Sequence, residues 1–247
     1  MSNAQLQSLS QHAKQRLDRK KTAKLDRKEK LELYKRFLKT EEHRILLYHR
    51  SGGSALRVSK RRADLIKILL RHLYRDAVDS SKNNKPDVTL IAIGGFGRGR
   101  LNPCSDVDLL FLHPKGAKGL PKEASDLIES ILYMLYDCGF KVGHAVRSIR
   151  ETISEANTDD RTKSSMIESK MLFGDEDLYK SMMNGFYKSC IKGFEKDYLK
   201  RRLEDIRLRH LKWSQTPFLQ EPHVKEGCGG LRAVSYTHLT LPTKRIV

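Results

Sequence analysis

The sequence predicts an α+β fold, a small mixed sheet flanked by an N-terminal helical arm and a C-terminal helical segment. Three observations carry this expectation. Two apolar runs of strand length, Val88 to Ile93 and Val107 to Leu112, stand on either side of a glycine-bearing segment, GGFGRGRLNPCSD. Lys, Arg, Glu, Leu and Gln, all good helix formers, dominate residues 5–48. Helical composition returns from Glu151 onward.

Each element follows in chain order. In the arm, Leu31, Leu33, Tyr34, Phe37 and Leu38 recur at near-helical spacing and mark one apolar stripe. Ser51-Gly52-Gly53 breaks that pattern. A second helix is expected from about Val58 to Val78, with Ala63, Ile66, Leu69, Leu70 and Leu73 on its buried face. The polar stretch 80–86 (SSKNNKP) is a linker. Strand 88–93, the glycine turn and strand 107–112 come next, then a Pro/Gly loop at 114–121 and a helix over about 122–137. Gly139 ends that helix, and KVGHAVRSI (141–149) is a third strand. Residues 175–214 read as long helix, and PHVKEGCGGLR (222–232) as a glycine loop. The expected organisation is a basic helical arm at 1–85, the core at 86–175, an incomplete helical segment at 176–233 and a tail at 234–247.

Charge is concentrated at one end. The 247 residues hold 48 Lys+Arg against 30 Asp+Glu, a net +18, of which residues 1–76 account for 21 basic and 8 acidic side chains. Such an arm attracts polyanions. The arm has few aromatic side chains for base stacking, so nucleic acid is not the expected partner. The four cysteines (104, 138, 190, 228) form no C-x-x-C pair, which speaks for a reducing compartment and against a zinc site. No run approaches the roughly 18 apolar residues of a membrane span. MSNAQLQSLSQHAKQR lacks an apolar signal region. The expectation is a cytoplasmic protein with no membrane contact.

The chemistry lies in Gly94 to Asp108. Side chains two apart on a strand share a face, so Asp106 and Asp108 direct both carboxylates to one spot, an arrangement suited to Mg²⁺. Gly94, Gly95 and Gly97 free the backbone to approach phosphate oxygens with N–H donors, and Arg98 and Ser105 supply a cation and a hydroxyl beside them. The spacing G-x-G-x-G, followed soon by a second strand, is not the G-x-G-x-x-G dinucleotide fingerprint. No P-loop lysine is present either. These residues point to metal-dependent nucleotidyl transfer.

A glycine pair followed by Asp-Val-Asp in an apolar strand resembles the nucleotidyltransferase superfamily related to DNA polymerase β. GGFGRGRLNPCSDVDLLFL further resembles the GGYGRGEL-x-P-x-SDIDLL segment of the bacterial protein-PII uridylyltransferases. YDCGFKVGHAVRSIRET…IESKMLFG (136–174) and EPHVKEGCGGLR (221–232) resemble two further motifs of that family, so the resemblance covers about residues 30–233. It implies a polymerase-β-like core, UTP as donor, two Mg²⁺ ions on Asp106 and Asp108 as catalytic residues, and a tyrosine of the PII signalling protein as acceptor, in nitrogen regulation. Glutamine-synthetase adenylyltransferase and other signalling transferases of the superfamily are the nearer alternatives. A non-catalytic nucleic-acid-binding module built on the basic arm is the alternative of another class. Arg100 stands where the family has Glu, and strand 141–149 holds no carboxylate, leaving Asp159, Asp160 or Glu168 as candidates for a third. His144 and Arg147 are the polar residues it offers instead. After Arg232 the pattern stops, and the chain is expected to be truncated, with a tail that is not native protein from about Ser235.

Overall fold

The computed structural model describes residues 3–18, 22–80, 87–114, 120–213, 216, 218, 220, 221 and 223–230. Most of the linker (81–86), most of the Pro/Gly loop (115–119) and the expected tail (234–247) lie outside the described residues. Two compact units result, Met1–Phe186 and Tyr187–Val247.

The first unit opens with three helices: α1 (Asn3–Arg16), α2 (Arg27–Arg50) and α3 (Ala55–Ser80). A capping box starts α2, with the Asp26 carboxylate accepting from Glu29 N and the Glu29 carboxylate accepting from Asp26 N. Gly52, with φ +84°, turns the chain where the sequence places the break. The apolar stripe of α2 lies as its spacing predicts, Tyr34, Phe37 and Leu38 buried and Leu31 and Leu33 packed at their margin. All five residues expected on the inner face of α3 are buried.

Four strands follow: β1 (Thr89–Ala92), β2 (Val107–His113), β3 (Val142–Ser148) and β4 (Lys170–Phe173), in the order β3-β2-β1-β4. β1 runs antiparallel to β2 and β4, whereas β2 and β3 are parallel, so the sheet is mixed. The parallel pair is joined through α5 (Lys122–Asp137), as such crossovers require. Val107, Leu109 and Phe111 join the core made with α3 and α5. Alternation turns Leu110 and Leu112 to the other face, and α8 (Glu176–Phe186) runs beside β1 and β2. The central strands, covered on both sides, are apolar almost without interruption.

One polar contact ties α3 to the sheet. Tyr74 Oη donates to the Val88 carbonyl at 2.7 Å in a buried setting, and burial, then the Asp87 charge, pushes its phenol up to about 12. Tyr74→Phe strands that carbonyl and is expected to cost about 1–3 kcal/mol, read as a lower denaturant midpoint with unchanged slope.

Three elements depart from the sequence reading, the first being the arm's opening helical stretch (5–48), which is two helices, α1 and α2. β4 occupies a stretch read as helix. It is a four-residue strand on the sheet's edge, one residue exposed and three half-buried, too short to carry a period. The expected long helix over 175–214 is two helices, α8 and α9 (Glu195–Lys212), separated by a π-helical turn at Tyr187–Ile191 and by Gly193 at φ +85°. The second unit, which begins with that turn, buries Cys190, Tyr198 and Arg202.

Candidate active site

The glycine turn is a single helical turn, α4 (Gly94–Gly97), entered from the extended Ile93 at the end of β1. Gly94 sits at φ +57°, where a side chain is strained. Gly97 N donates to Ile93 O and Arg98 N to Gly94 O, both at 3.1 Å. The amides of Gly94 and Gly95 belong to the first turn, where a helix has no acceptor of its own to offer. Past the turn, Leu101 is buried and its N–H donates to Ser59 O at 3.0 Å, anchoring the loop on α3. Cys104 takes φ +62°, and Ser105 and Asp106 are exposed.

Asp106 precedes β2 by one residue and is exposed, and Asp108 lies within the strand. Asp108 is half-buried, and its carboxylate fills space that two glycines leave free. A Cβ on Gly94 would stand 3.6 Å from its Oδ2, and one on Gly143, its partner across the β2–β3 pair, 2.5 Å from its Oδ1. On the turn's other side, a Cβ on Gly95 would stand 3.7 Å from Arg98 Nη2. Of two consecutive glycines, one therefore abuts a carboxylate and the other a guanidinium. A cleft of about 230 Å³ extends from Asp108 along Gly143, Ala145 and Arg147, with Thr162 and Ser165 of α7 (Asp160–Ile167) on its wall.

The remaining polar candidates fall into place around this pair. Glu168, capping the end of α7, is ion-paired with Arg98. Burial pushes the Glu168 carboxyl above its ordinary range, and the Arg98 charge draws it partly back. Asp159 caps the start of α7, accepting from Arg161 N at 3.1 Å and Thr162 N at 2.8 Å. Burial works against its ionised form, yet the bonds from Thr162 and Arg161 hold its carboxyl below the ordinary range. Arg147 Nη2 lies 3.5 Å from Glu155 Oε1 on α6 (Ile149–Thr158). His144 points to the opposite face from Asp108 and lies 3.5 Å from the Tyr136 hydroxyl.

Among the described residues no three His, Cys, Asp or Glu side chains converge as a metal cluster. Mg²⁺ does not require one. It keeps several waters and is held by one or two carboxylates together with substrate phosphates. The carboxylates of Asp106, exposed, and Asp108, lining the cleft, fit that mode.

The Arg98–Glu168 contact is the feature that sequence spacing did not reveal, since 70 positions separate the partners. Gly97 has a packing reason as well. A Cβ there would overlap the Glu168 carbonyl oxygen and stand 2.9 Å from that of Ala92.

Comparison with known proteins bears on the kind of domain this is. Residues 75–170 match the model of the nucleotidyltransferase domain. A bifunctional uridylyltransferase/uridylyl-removing enzyme of Rhodospirillum rubrum is 41% identical over 145 residues, 59% of this chain and 15% of the relative. Those of Bradyrhizobium diazoefficiens (35%, 76% of this chain, 20% of the relative) and Rhodopseudomonas palustris (36%, 68% and 17%) are similar. This chain thus spans a fifth or less of the length of these relatives. A crystal structure of a toxin–antitoxin with AMP-PNP aligns over 58% of this chain and 96% of its own at TM-score 0.32 and 16% identity, too distant to carry an argument. The α+β fold and the mixed sheet suit a nucleotidyltransferase domain, which this chain carries, and over that region the chain is similar to a segment of the bifunctional uridylyltransferase/uridylyl-removing enzymes.

Proposed function

We propose that this chain carries the transferase site that moves UMP from UTP to a tyrosine of a PII-type signalling protein, in the cytoplasm and in the service of nitrogen regulation. The observation that carries the reading is the Asp108 carboxylate seated between Gly94 and Gly143, two residues along the chain from Asp106. Asp106 and Asp108 are the catalytic pair and would hold Mg²⁺, two ions in the full assembly, which when bound neutralises phosphate charge and lowers the pKa of the acceptor hydroxyl. Gly94 and Gly95 present first-turn amides to the triphosphate, and Gly97 keeps the turn seated so that they can. Arg98 adds a cation and Ser105 a hydroxyl at the exposed mouth of the turn. Most of the rate enhancement then comes from holding the donor phosphate and the acceptor oxygen in line in a fixed field.

No helix among the described residues is long and apolar enough to cross a membrane. Transfer of labelled UMP to PII is the direct test, with ATP as a parallel donor for the adenylyl alternative. Asp106→Asn with Asp108→Asn is expected to lower transfer at least about a hundredfold without loss of fold. Unchanged transfer in that variant rejects the site. Label arriving from ATP rather than UTP reassigns the donor.

A further inference from the structure

We propose that Glu168 is a positioning residue, holding the Arg98 guanidinium beside Gly95 so that it meets the nucleotide's phosphates. This inference rests on the transferase reading above. Arg98 is 41% exposed at its side chain, at the residue that caps the turn, and an unanchored arginine there would sample many rotamers. Its ion-pair partner is only 12% exposed and is fixed at both ends. On one side Glu168 caps α7; on the other it leads through Ser169 into β4, whose Lys170 pairs with Ala92 at the end of β1. The carbonyl of the same residue packs against Gly97, so backbone and side chain of Glu168 grip the turn at two successive positions, 97 and 98.

The result is directional. Arg98 Nη1 is held by Glu168, while Nη2 lies toward Gly95, 3.7 Å from where a Cβ there would stand, and the preceding Gly94 abuts Asp108. A guanidinium has five N–H donors in a fixed fork, so one edge can remain on a carboxylate while the other binds an anion. The half-buried Glu168 carboxylate is an unfavourable place for a charge without Arg98, as its raised proton affinity indicates. It therefore has reason to retain the guanidinium. The geometry assigns to Glu168 an effect on nucleotide binding that passes entirely through Arg98.

Equilibrium binding of UTP with Mg²⁺, by calorimetry on the whole chain, separates the alternatives because it needs no acceptor. Arg98→Ala is expected to weaken binding roughly tenfold or more, the scale of a charge-assisted hydrogen bond. Glu168→Gln is expected to weaken it by a smaller factor, with an unchanged melting temperature. In the double variant the loss should equal that of Arg98→Ala alone, since a residue acting through another adds nothing once the other is gone. Additive losses, or unchanged binding in Arg98→Ala, overturn the positioning role while leaving the transferase site intact. Wild-type chain that binds no nucleotide at all rejects the transferase reading, and this inference with it.

Discussion

Gly143→Ala is expected to yield a folded protein whose nucleotidyl transfer is lowered about a hundredfold. The substitution adds one methyl group on an exposed residue of β3, at an ordinary extended backbone position. That methyl carbon would stand 2.5 Å from Asp108 Oδ1, closer than such atoms approach. The clash is with the end of a side chain, not with backbone. Asp108 can relieve it by rotating its carboxylate, at little cost to the fold, so the melting temperature should move by no more than a few degrees. Catalysis has no such latitude. Displacing a reacting or ligating group by about 1 Å costs on the order of a hundredfold in rate. Steady-state transfer and thermal unfolding of the same preparation decide the matter. Full activity in Gly143→Ala would show that the Asp108 rotamer seen here is not the working one.

That prediction has no counterpart in the sequence alone, and the reason is instructive. Asp106 and Asp108 were legible because everything that marks them is local: a spacing of two, apolar neighbours, glycines a few residues before. Gly143 stands opposite Asp108 only because β2 and β3 pair in parallel in one register, which no single segment encodes. The Arg98–Glu168 pair is invisible for the same reason. The helices of the arm were legible because their apolar stripes repeat over several turns, whereas β4 gave one exposed and three half-buried residues and no period. Asp159 shows the converse. As one more carboxylate near the site it was a candidate metal ligand, yet its position just ahead of a helix is a capping position, and the structure uses it that way. A carboxylate one residue before a helix is better weighed first as a cap.

Gly97→Ala is expected to be the most damaging single-methyl change in the turn, destabilising the first unit by about 3 kcal/mol or more. Gly97 is buried and helical, so backbone strain is not the cause. The cause is that both neighbours of the added carbon are carbonyl oxygens of the main chain, those of Glu168 and Ala92. Neither can rotate away as Asp108 can beside Gly143. Ala92 is held in β1 between two partner strands, and Glu168 is held between the end of α7 and β4. Relief therefore requires the turn to lift off α7, which also separates Arg98 from Glu168. Two readouts should move together, a lower unfolding midpoint and weaker Mg²⁺–UTP binding in whatever fraction remains folded. Gly143→Ala should leave the fold intact and move the midpoint by no more than a few degrees. A Gly97→Ala protein with wild-type stability would mean that the turn and the end of α7 are farther apart in solution, and would remove the packing on which the Glu168 clamp depends.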